Sequence, residues 1–235
     1  MSRENSKSGA SNGRVTIGVG RNTLAEQTLH FVQTELPNWR DDAERESETS
    51  EERLNAQLCK HLNVTASERF PMVHFHHEEK QTANRRVDFS ALPRKAQFVD
   101  DQYCTKYKPF IVFEGKRLPT PRLSREREYV TGGEAKSGGI QRFKLGLHGD
   151  KHNLAAIVGY IQEGEPKDWL KKINFWIQDL EGAIGVDGEI WSRTECLKQF
   201  KPDNVLGVAQ ARSSHTRIGS VTSRNIRLRH LWLKM

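Results

Sequence analysis

The chain has 235 residues, of which 35% are hydrophobic and 29% charged, with five Trp and ten Phe that need a core. That is room for one generous domain and excludes disorder throughout. Lys and Arg outnumber Asp and Glu by 37 to 30, a net charge of +7, and no apolar run approaches the roughly 20 residues that span a bilayer, which excludes an integral membrane protein.

Residues 1–13 are rich in Ser, Asn and Gly without an apolar stretch, and read as a flexible tail, not a secretory signal. Thr23–Leu36 places Leu24, Leu29, Val32 and Leu36 near helical spacing, with Pro37 as the expected stop. After an acidic linker, Thr49 and Glu52 suggest a capping box for a second helix whose stripe is Leu54, Leu58 and Leu62. Met72–His77 and Arg86–Leu92 read as extended, and Phe110–Phe113 and Leu154–Ile161 as buried strands. Thr131–Ser137 reads as a mobile glycine-rich loop, since it lacks the glycines of a Walker loop. Asp168 is the expected cap of a helix with Trp169, Ile173, Trp176, Ile177 and Leu180 on its core face, ended by Gly182 and Gly185. In Ile226–Leu233, Ile226, Leu228, His230 and Trp232 share one side and Arg227 and Arg229 the other. This order predicts one mixed α/β layered domain over 14–235, with a core at about 49–185 and a basic extension at 186–235 that completes the sheet.

Cys59, Cys104 and Cys196 are far apart and odd in number, which argues against a disulfide framework and fits a reducing cytoplasm. His74 and His76 share a strand face, yet lack the partners of a zinc site. From Lys201 onward seven basic residues face one acid, Asp203, and a second basic stretch runs from Lys116 to Arg127. A polyanion is the natural partner of such a chain, and a solvated basic surface is the alternative.

The chemistry concentrates at Asp88 and at Glu114-Gly115-Lys116, which follows four apolar residues. Glu114 and Lys116 leave the same face of an extended strand. On a neighbouring strand about 4.8 Å away, Asp88 can converge with Glu114 on a hard cation, with a lysine beside it to offset phosphodiester charge.

This pattern resembles the PD-(D/E)XK nuclease superfamily, over roughly Glu51–Ile161. The resemblance implies a restriction-endonuclease-like fold, a mixed central sheet flanked by helices, and a Mg²⁺-dependent nuclease, with Mn²⁺ as a substitute. Asp88, Glu114 and the Gly115 carbonyl would hold the metal. Lys116 would orient or help activate water and offset charge. Glu51 on the preceding helix, with Glu52 as alternate, would reach the metal through water or hold a second ion. Gln141 would position substrate or the lysine. The substrate is DNA, with RNA left open, and Arg117, Arg142, Arg217, Arg224, Arg227 and Arg229 would contact its backbone. Restriction or defence, repair and recombination all remain open. So do two rivals: a catalytically silent nucleic-acid-binding module, and a subunit of a larger assembly, including a homodimer.

Overall fold

The computed structural model describes residues 23–82, 85–99, 102–219 and 221–235. The tail at 1–13 lies outside them. Helix α1, Leu24–Arg40, is capped by Thr23, whose side chain accepts from the Glu26 amide. It buries Leu29, Val32, Leu36 and Trp39. Pro37 does not end it. The helix continues one more turn, which seats Trp39 edge-on against Tyr160, with ring centroids 5.8 Å apart. Burying an indole outweighs the one backbone bond that proline forfeits so near the end.

Helix α2, Glu51–Arg69, starts without the expected capping box. Ser50 is its N-cap, and the Glu48 carboxylate accepts from the Thr49 and Ser50 amides, both at 2.7 Å. Leu54, Leu58 and Leu62 form its buried stripe.

Strands β1 (Val73–Thr82), β2 (Arg85–Pro93), β5 (Ile111–Leu118), β6 (Leu154–Ile161), β7 (Lys198–Asp203), β8 (Val208–Thr216) and β9 (Asn225–Lys234) form one sheet, ordered β1-β2-β5-β6-β9-β8-β7. The pairs β5–β6 and β6–β9 are parallel and the rest antiparallel. A small hairpin of β3 (Gln97–Val99) and β4 (Gln102–Cys104) stands apart. The molecule is thus a mixed α/β structure with a seven-stranded sheet.

Two cores lie on the two faces. One packs α1 and α2 against Ile111, Phe113, Val158 and Leu231. The other packs helices α3 (Gly139–Lys144) and α4 (Pro166–Asp179) against Val112, Ile157, Leu228 and Trp232. Asp168 is not the cap of α4: Glu165 is, followed by Pro166, and Asp168 sits in the first turn. The helix ends at Asp179, before Gly182. Among the described residues no helix is long and apolar enough to cross a membrane.

Candidate functional site

The site is built on β5. Ile111 and Phe113 face α2, so Glu114 and Lys116 share the opposite face with Val112 and Leu118. Both are buried, Glu114 completely.

Strand β2 pairs with β5 only at Phe89↔Phe113, Ser90↔Val112 and Ala91↔Ile111. Beyond that the two strands part. The Gly115 and Arg117 amides, two residues apart, aim at the side that β2 has left. Each is met by a carboxylate in place of a strand: Gly115 N donates to Asp88 Oδ2 at 2.6 Å, and Arg117 N to Glu51 Oε2 at 2.8 Å. A strand residue's N–H and C=O leave toward the same neighbour, so the Gly115 carbonyl faces this gap too.

Gly115 also explains how α2 comes so close. A Cβ there would lie 2.0 Å from Asn55 Oδ1, which itself accepts from the Tyr160 hydroxyl at 2.7 Å. With Asn55 pressed onto the strand, Glu51 one turn earlier reaches Lys116, whose Nζ lies 2.8 Å from Glu51 Oε1 and 3.0 Å from Glu114 Oε1.

Three carboxylates therefore crowd one ammonium group. Burial, then the Glu114 charge, pushes Asp88 up to about 8; Glu51 adds to this, while Lys116 and the Gly115 amide oppose it. Burial would raise Glu114 as well, but Lys116, His148 and Arg142 outweigh it and hold its carboxyl well below the usual range. Burial disfavours the charge on Lys116, yet Glu114, Glu51 and Asp88 hold its ammonium above the usual lysine value.

Sequence reasoning missed two partners of Glu114. Arg142 Nη1 lies 2.5 Å from Oε1, and His148 Nδ1 2.9 Å from Oε2. The signal for His148 was its flanking glycines: Gly146 and Gly149 both have positive φ, at 66° and 60°, which turns the chain back onto β5. Arg142, expected to contact nucleic acid, is instead committed to Glu114.

Other expected residues lie elsewhere. Gln141 is buried but turned away from the carboxylates. It accepts from the Gly132 amide at 2.9 Å and donates to Glu189 Oε1 at 2.9 Å and to the Gly133 carbonyl at 3.1 Å, so it latches the glycine-rich loop. Arg217 is buried and binds the His152 and Gly149 carbonyls, both at 2.7 Å, so it is not a surface contact for a phosphate. Arg229 pairs with Glu26 at 2.6 Å. Arg224 and Arg227 are exposed, and Arg117 is half-buried. Arg227 and Arg229 alternate with Leu228, so they lie on the α1 face, opposite Glu114 and Lys116.

Among the described residues no three His, Cys, Asp or Glu side chains converge as ligands of one ion. A metal here would rest on Asp88, Glu114, the Gly115 carbonyl and water. The donor chemistry fits Mg²⁺: all are hard oxygens, and the raised Asp88 is a carboxyl whose neighbours a divalent cation would neutralise. Arg142 and Lys116 both engage Glu114 Oε1, while Oε2, 2.9 Å from His148 Nδ1, has no hydrogen-bond partner among the described residues. No family model, curated protein or solved structure matches this chain.

Proposed function

We propose that the chain is a Mg²⁺-dependent nuclease of the PD-(D/E)XK type that hydrolyses phosphodiester bonds in DNA. One observation carries the reading: β2 parts from β5, and the gap gathers Glu51, Asp88 and Glu114 around Lys116. The element order agrees with it, from a helix with Glu51, through a strand with Asp88 and a strand with Glu114 and Lys116, to a helix and β6.

When bound, Mg²⁺ supplies Lewis acidity at a phosphoryl oxygen and a more acidic attacking water. Asp88, Glu114 and the Gly115 carbonyl would hold it. Lys116 stays charged, so its part is to offset the negative charge that grows on the phosphodiester, not to accept a proton. Glu51 keeps that ammonium in place.

Purified protein is expected to nick plasmid DNA with Mg²⁺ and not with EDTA. Lys116→Ala and Asp88→Asn are expected to lose roughly 10²-fold or more while still folding. Cleavage that survives both substitutions rejects the site. The silent binding module remains the second reading, favoured by the hold of Arg142, Lys116 and His148 on Glu114. It is the reading left standing if DNA is bound but never cut at any Mg²⁺ concentration.

A further inference from the structure

Strands β7, β8 and β9 carry a feature that the proposed cleavage does not use. Their registers pair Lys198 with Arg212 and Arg212 with Arg229, so three cations stand in one row across three adjacent strands. Neighbouring strands are about 4.8 Å apart, and like charges placed opposite one another destabilise a sheet. Next along, Arg227 stands opposite Ser214 on the same face.

Little offsets this charge. Arg229 pairs with Glu26, but its Nη1 is buried without a hydrogen-bond partner among the described residues. Lys198, Arg212 and Arg227 are exposed, and among the described residues none of them forms an ion pair. The row lines a cavity of about 250 Å³, to which Thr194 and Ser214 contribute. The strand beside it is irregular: Gln199 has φ 53°, a left-handed conformation uncommon for a non-glycine residue, where the β7–β8 register shifts.

We propose that this cavity is a phosphate-binding site on the α1 face of the sheet, separate from the carboxylate gap. Guanidinium and ammonium donors with hydroxyls beside them suit a phosphate, and a bound phosphate removes the repulsion along the row. The group is either a backbone phosphate of nucleic acid or a small phosphate compound. Because Glu114 and Lys116 lie on the opposite face, the phosphate held here is not the one that is cut.

The test is equilibrium binding in EDTA, which keeps it independent of cleavage. The probes are inorganic phosphate, by calorimetry, and short duplex DNA across a salt series. The variant is Arg212→Gln/Arg227→Gln, both exposed positions. The control, Lys60→Gln/Lys167→Gln, removes the same charge from elsewhere on the surface. The variant is expected to weaken phosphate binding about tenfold or more, the scale of lost charge-assisted hydrogen bonds, and the control to leave it unchanged. If the phosphate comes from nucleic acid, the variant also lowers the slope of log affinity against log salt by about two. If it is a small compound, the DNA slopes of variant and control coincide while phosphate binding is lost. The proposal is overturned if neither probe separates the variant from the control.

Discussion

At the scale of single residues, Gly115 is the most constrained position in the site. A Cβ there would lie 2.0 Å from Asn55 Oδ1 on α2, so the buried Asn55 side chain or its helix would have to shift. Gly115→Ala is expected to destabilise the fold by about 1–3 kcal/mol, the range for overfilling a packed region. It should also weaken cleavage, because Glu51 rides on the displaced helix. Removing the obstacle in Gly115→Ala/Asn55→Ala should return much of the stability in urea unfolding; no recovery would place the strain elsewhere. Asp88, Glu114 and Lys116 were legible in the sequence through their combination: a Glu-Gly-Lys after four apolar residues, an aspartate on the strand before and a glutamate-bearing helix before that. His148 was signalled only by the positive-φ glycines around it, and Arg142 not at all, because no local pattern reports that α3 aims it at Glu114.

At the scale of elements, β8 and β9 show why the sheet was only half legible. Strand β9 alternates large apolar residues with arginines, and its parity could be read directly. Strand β8 turns Ala209, Ala211, Ser213 and His215 inward, so its pattern is not apolar. Ala209 and Ala211 join the core, and Ser213 and His215 close a buried polar chain. Ser213 Oγ lies 2.7 Å from both His215 Nε2 and His230 Nε2, and His230 Nδ1 lies 2.7 Å from the Tyr129 hydroxyl. Periodicity scores such positions as surface, although Ser213, His215, His230 and Tyr129 are buried and hydrogen-bond one another. Strand β7 is almost wholly exposed, so it carries no core pattern.

Two histidines of this chain, together with His152, make stability depend on pH. Burial holds His215 and His230 below the ordinary histidine value and pushes His152 down to about 4. Unfolded histidines take up protons near pH 6.5, while these three take them up only at lower pH. Folding stability is therefore expected to fall as pH drops from about 6.5 toward 4. Asp88 works in the opposite sense. Its folded carboxyl takes a proton from about pH 8 downward and its unfolded form only near 4, so it gains stability over the same window. Urea midpoints measured in the Asp88→Asn background isolate the histidines. A flat profile there between pH 6.5 and 4.5 would contradict their neutral burial.

For the whole molecule, the sequence suggested a core at about 49–185 with an extension after it. In the sheet, β9 lies between β6 and β8 and pairs with β6 along all eight residues from Leu154 to Ile161. Strand β6 is buried throughout. A fragment ending at residue 185 would expose one edge of β6 and both its faces near that edge, a template for aggregation. Such a fragment is expected to be insoluble or to lack a cooperative thermal transition, and the full chain to show one. A folded, monomeric fragment would show that residues 186–235 are a true accessory. The net charge of +7 likewise does not form a single basic patch. Part of it is buried at Arg217 and Lys144, part neutralises Glu114, and the unopposed remainder includes the row on the α1 face.

The parting of β2 from β5 has a practical consequence. Two amides of a central strand owe their protection to side chains, Gly115 to Asp88 and Arg117 to Glu51. Alanine at either carboxylate strips a backbone donor of its acceptor, so a lost activity in such a variant confounds chemistry with local loosening; asparagine and glutamine avoid this. The pair of N–H groups also serves as a built-in reporter. Their deuterium uptake, followed with and without added Mg²⁺, reads out whether the acidic gap engages an ion before any substrate is known.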